Sequence, residues 1–190
     1  MKKVAIILFL VGLSFVFYAG VQLKSNKQSE KTALVHAHKI LESSDITKPP
    51  SHLSFQSGQT IGVLQIPTIG KELPIVEGID EDALKNGVGH YTGTVYPGQK
   101  DQILLSGHRD TVFTGLDKLK TGDPIIVEMQ HGSFTYGVKD TAIVDGNDTS
   151  IIHSTAPNEM LILSTCYPFR YIGNAPQRFI IYAEPMGDFE

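Results

Sequence analysis

From Val4 to Leu23 the chain carries no charge, and Ser14 and Gln22 are the only clearly polar side chains in the stretch. About 20 apolar residues are what a helix needs to cross the ~30 Å hydrocarbon core of a bilayer. Lys2 and Lys3 would also suit the basic start of a secretory signal peptide. Such a peptide has an apolar core of about 7–15 residues and ends in a small-x-small cleavage site. Phe17, Tyr18, Ala19 and Gly20 place bulky aromatics where that site needs small side chains. Residues 1–23 are therefore read as an uncleaved signal-anchor helix.

The composition then turns polar. Residues 24–54 read as a tether: Ser29 to Ser43 can form a modest helix with Leu34, Ala37, His38 and Leu41 at helical spacing. Asp45 to Ser51, with Pro49-Pro50, reads as an extended spacer. A free tether is preferred over a helix that packs on the following domain.

From Thr60 onward short apolar runs are cut by Gly, Pro and Asn. The expected strands are 61–66, 73–76, 103–106, 124–129, 133–143, 160–165 and 178–184, rich in Val, Ile, Tyr and Phe and bounded by turn residues. Short helical turns are expected at 80–85 and 112–119. Closely spaced short strands in one domain, residues 55–190, imply an all-β closed barrel or sandwich with a few short helices.

Charge narrows the partners. The net charge is −4 and the basic residues are dispersed, with Arg109, Arg170 and Arg178 as the arginines of the chain. No clustered basic face is present, so nucleic acid is not an expected partner. Around the apolar span, Lys24, Lys27, Lys31 and Lys39 follow it closely. The positive-inside rule therefore does not favour an outside C-terminus. An extracellular domain rests on the chemistry instead.

That chemistry centres on the chain's single cysteine, Cys166, near the end of the apolar run Met160-Leu161-Ile162-Leu163-Ser164-Thr165-Cys166-Tyr167. A lone cysteine forms no internal disulfide, so it serves packing or reactivity. A nucleophilic thiol needs a neighbouring base or cation. His36, His38 and His52 fall in the tether, His131 in a hairpin turn and His153 in a loop. His108 ends an apolar strand in Leu104-Leu105-Ser106-Gly107-His108-Arg109, where the preceding glycine allows close backbone approach. It is either functional or a structural histidine bonded to the backbone. Stabilising an oxyanion needs a positive group. Arg178 opens the last apolar run, and Arg170, close after Cys166, competes with it.

Ile162-Leu163-Ser164-Thr165-Cys166, with Ser106-Gly107-His108 upstream and Arg178 downstream, resembles the signature of sortases, membrane-anchored cysteine transpeptidases of Gram-positive bacteria. Their cysteine motif is Thr-Leu-x-Thr-Cys, and Ile162 departs from it. The resemblance spans about 62–184 plus the anchor, and the compact domain with its Cys-Tyr-Pro-Phe continuation is most similar to class D. It implies a closed eight-stranded β-barrel with His108, Cys166 and Arg178 as catalytic residues meeting at one end. It also implies that Thr165 and Ser164 help to bind substrate. The implied reaction cleaves an LPxTG-like sorting signal of a surface protein between Thr and Gly through a thioester. The acyl group then passes to an amine acceptor of the cell-wall precursor. A single-pass membrane protein with an extracellular catalytic domain follows.

Other readings stay open. A pilin lysine could be the acceptor, water could replace the amine in a cysteine peptidase, or a tethered barrel could bind peptides without catalysis. The loop 145–158 is either a wall of the Leu-Pro pocket or a simple connection. A zinc site from Cys166, His108 and His90 lacks any CxxC or HxxxH pair. Asp140, Asp145 and Asp148 read as solvated loop acids. No metal and no cofactor is expected.

Overall fold

The computed structural model describes residues 2–42, 53–171 and 173–187. Eight strands follow one another: β1 (Thr60–Ile66), β2 (Lys71–Glu77), β3 (Val88–His90), β4 (Gln102–Gly107), β5 (Pro124–Met129), β6 (Gly132–Asp145), β7 (Met160–Tyr167) and β8 (Gln177–Pro185). They close into a barrel in the order β1-β2-β3-β4-β7-β8-β6-β5. Every run expected to be a strand is one. The addition is β3, whose three residues pair parallel with β2 and antiparallel with β4. A segment that short carries no readable periodicity.

The parallel β4–β7 pair lies at the heart of the arrangement. Ile103, Leu105, Leu161 and Leu163 belong to the main core inside the barrel. Their neighbours Leu104 and Ile162 join Ile180 and Ile151 in a second apolar cluster. Both faces of β4 and β7 are therefore covered, which is why their sequences run apolar without alternation. Ile162, the departure from the cysteine motif, is fully buried in this second cluster.

Residues 24–42 correct the expectation of a free tether. One helix, α1 (Lys2–Glu42), runs unbroken from the apolar segment into this region. Its last turns touch β1, β2 and the short helix α2 (Glu81–Asn86). Ala33, Leu34, Ala37, His38 and Leu41 recur at helical spacing and make the buried or half-buried stripe, and such a stripe is what docks a helix. Ala37 is fully buried, and His38 Nε2 lies 3.2 Å from Glu72 Oε1. The residues from 2 to 21 keep their apolar side chains exposed, and the helix is long and apolar enough to cross a membrane. The expected Pro49-Pro50 spacer and His52 lie outside the described residues.

Candidate active site

β4 ends at Gly107, which pairs with Thr165 of β7. A Cβ on Gly107 would sit 2.7 Å from Val112 Cγ2 and 2.8 Å from the Phe113 ring. Glycine is what lets the chain fold back so tightly. The backbone N–H of Phe113 donates to His108 O at 3.0 Å, while Val112 and Phe113 plug the barrel core beneath. This turn leaves His108 exposed at the barrel rim.

Cys166 follows Thr165 and is half-buried. Side chains alternate along a strand, so Cys166 shares its sheet face with Ser164. Across the β7–β8 ladder it pairs directly with Arg178. Facing residues in an antiparallel pair hold their Cβ atoms about 4.5–5.5 Å apart. The Arg178 Nη1 donates to Ala175 O at 3.1 Å and Gln177 O at 3.0 Å, which fixes the guanidinium near the strand start. His108, Arg109, Asp110, Cys166, Gly173, Asn174, Ala175 and Arg178 line one open cleft of about 350 Å³. The cleft thus gathers a thiol, an imidazole and a guanidinium, the group types that nucleophilic attack on a carbonyl requires.

The family model described as the sortase domain matches residues 64–186. The chain belongs to the sortase family. It is 46% identical to sortase D of Bacillus subtilis over 97% of this chain and 98% of that protein. Sortase A of Bacillus anthracis is 25% identical over 97% of this chain and 93% of its own length. Among solved structures, the sortase D5 transpeptidase of Clostridium perfringens superposes with a TM-score of 0.74 at 26% identity, covering 84% of this chain and 99% of that one. The protein is a cysteine transpeptidase of the sortase type, most like class D.

Arg170, the competitor for the positive role, is not among the cleft residues. Its side chain is 80% exposed and turned toward Asp117, 3.9 Å away. The Thr165 hydroxyl donates to Gly107 O at 2.7 Å and is buried. It fastens β7 to β4 beside the nucleophile. Ser164 lies on the Cys166 face, in register with Ser106 and Ile180.

Sequence reasoning missed Arg109, which is 8% exposed. Its only signal was a charge directly after a strand-end histidine. Its guanidinium donates to Pro168 O at 2.9 Å, Tyr171 O at 2.9 Å and Gly173 O at 3.1 Å.

The remaining histidines go elsewhere. His90 is buried with Nδ1 2.9 Å from Glu77 Oε2 and its ring stacked on Tyr96. Burial and the Glu77 carboxylate push the Tyr96 phenol up to about 12. His131 sits at the β5–β6 turn, with Nε2 2.9 Å from Pro97 O. His153 is exposed in the loop between β6 and β7.

That loop lies against the sheet rather than standing free. Ile151 and Ile152 pack on Leu104, Ile162 and Ile180. Asp101 accepts from the Thr155 and Ala156 amides at 2.6 and 3.1 Å and from Ser154 Oγ at 3.0 Å. These donors, with the Gln102 amide foremost, hold the Asp101 carboxyl below its usual range. Asp145 and Asp148 each accept a local amide, from Asn147 and Ser150. Among the described residues no group of three or more His, Cys, Asp or Glu is placed to hold a metal ion.

Proposed function

We propose that this sortase cleaves an LPxTG-like signal between Thr and Gly and transfers the protein to a cell-wall amine, with Cys166, His108 and Arg178 as the catalytic residues. Cys166, as thiolate, attacks the Thr carbonyl carbon, and the carbonyl electrons move onto oxygen. Arg178 stabilises that oxyanion. As the tetrahedral intermediate collapses, the C–N bond breaks and His108 delivers a proton to the departing glycine amine. The thioester retains the acyl group's reactivity without ATP. An amine then attacks, His108 takes its proton, the C–S bond breaks and a new amide forms.

One observation supports this reading above the others: Cys166 pairs with Arg178 across one ladder and lies in the same cleft as His108. Ser164, on the same sheet face, is proposed as a substrate contact. The loop of residues 145–158 is proposed as a wall for the Leu-Pro part of the signal, because its isoleucines already cover that face. The apolar half of α1 is proposed as a single membrane span with the barrel outside the cell, where sorting signals and cell-wall amines meet.

The test is a mass-spectrometric assay of the full chain in detergent with an LPxTG peptide, with and without added amine. Cleavage after Thr, an amine adduct, and loss of both in Cys166→Ala are expected. Cleavage indifferent to every amine supplied would favour a hydrolytic peptidase. Peptide binding without cleavage, kept in Cys166→Ala, would overturn the enzymatic reading of these residues.

A further inference from the structure

The barrel places a second arginine at the cleft with a task distinct from that of Arg178. Arg109 is almost fully buried, and a buried guanidinium needs partners for its donors. Among the described residues its carboxylate neighbour is Asp110, which meets Nε at 3.3 Å and is itself largely exposed. Nη1 and Nη2 reach the carbonyls of Pro168, Tyr171 and Gly173. All three belong to the segment that leaves Cys166 and returns to β8. Hydrogen bonds from a charged donor are the stronger kind, and a planar fork can serve several acceptors at once.

Phe169 anchors the start of the segment on the core and on the Phe179 ring, and the carbonyls that Arg109 binds continue beyond that anchor to Gly173. Arg170 adopts a left-handed φ of 56° and Gly173 a φ of 136°. Gly173, Asn174 and Ala175 form the part of the cleft wall that this segment supplies. The Arg178 Nη1 holds the far end through Ala175 O. Beyond the Phe169 anchor, two guanidinium groups, one from the His108 turn and one from β8, hold the carbonyls of Tyr171, Gly173 and Ala175.

We propose that Arg109 is a positioning residue: by binding the Pro168, Tyr171 and Gly173 carbonyls it fixes the Gly173, Asn174 and Ala175 wall at the width a peptide substrate needs. This rests on the reading of the cleft as the peptide site. Arg109 takes no proton and touches no reacting atom. Its loss relaxes substrate recognition and leaves the thiol itself as reactive as before.

The segment carries its own reporter, since Arg170 is exposed and offers a trypsin site within the clamped stretch. In the full chain in detergent, Arg109→Met should speed trypsin cleavage after Arg170 about tenfold, with Arg109→Lys in between, because a lysine replaces only part of the fork. The same variant should raise KM for the sorting peptide about tenfold while kcat changes far less. Alkylation of Cys166 by iodoacetamide should stay within about twofold of the parent rate.

Unchanged cleavage after Arg170 in Arg109→Met overturns the clamp. Faster cleavage with an unaltered KM overturns the positioning role. Cleavage spread over the barrel, with alkylation accelerated, overturns it in favour of a general structural role, and Arg109→Lys, which keeps the charge, checks this in a milder background. If the parent enzyme turns over no peptide, the functional reading fails, while the trypsin comparison still decides whether Arg109 holds the segment.

Discussion

Cys166 and Arg178 are direct partners across the β7–β8 ladder. Their relation is written into strand register rather than loop conformation. A slip of one residue would turn one of them to the opposite face of the sheet. The site is thus as rigid on this side as the barrel wall.

That pairing separates the two candidate arginines. Arg178→Gln should lower kcat by about 10²–10³, the usual loss when an oxyanion donor is removed. Arg170→Gln should leave steady-state turnover of the peptide within about twofold, since the side chain points to Asp117 at the surface. Equal losses in both variants would remove the special role given to Arg178.

Thr165→Val tests what the hydroxyl beside the nucleophile does. Its hydrogen bond to Gly107 O is buried, so stability measured by denaturant unfolding should fall by about 1 kcal/mol. At temperatures where the variant is folded, KM for the peptide should not move. A raised KM with unchanged stability would show that the hydroxyl meets substrate after all.

Asp101 gives the loop between β6 and β7 an acid-sensitive latch. Its carboxyl is held below the ordinary 3.8 by the amides it accepts. A depressed carboxylate contributes stability that is complete above the ordinary value and disappears as pH falls through the native one. The Thr155 and Ala156 amide resonances should therefore shift with a midpoint below 3.8, and Asp101→Asn should abolish the titration. A midpoint at or above the ordinary value would show that the latch does not favour the charged form.

Ala37→Asp should release the end of α1 from the barrel. A carboxylate forced into a fully buried position on that seam has no partner and carries a desolvation penalty of several kcal/mol. Amide exchange of residues 30–42 in detergent should quicken, while peptide turnover persists. Unaltered protection would mean the contacts contribute little to docking.

Much of the barrel was legible in the sequence because both faces of β4 and β7 are buried, so Leu104-Leu105 and Leu161–Leu163 read as unbroken apolar runs. β3 was not legible: Val88-Gly89-His90 has too few residues to show alternation, and only pairing with β2 and β4 makes it a strand. Cys166, His108 and Arg178 became candidates because each lies at the edge of an apolar run, while the preference for Arg178 over Arg170 came from the resemblance to sortases. The hydrogen bond of Thr165 to Gly107 O was not legible, because the motif places this threonine beside the thiol while alternation turns its side chain to the other face. Arg109 was missed because its partners are backbone carbonyls about 60 residues away, which leave no trace in side-chain chemistry. The docking of α1 was half visible: the stripe of Ala37 and its neighbours was there, but its polar surroundings suggested a tether.

The uninterrupted α1 has a mechanical consequence. At ~1.5 Å per residue its 41 residues extend about 60 Å, roughly twice the hydrocarbon thickness of a bilayer. If the apolar half is the membrane span proposed above, the same rod that enters the lipid at one end grips β1, β2 and α2 at the other. Under that proposal the barrel would be held at a fixed height above the lipid, as a reader mounted on a post. Cargo tethered to the same bilayer would meet it at higher local concentration than freely diffusing cargo.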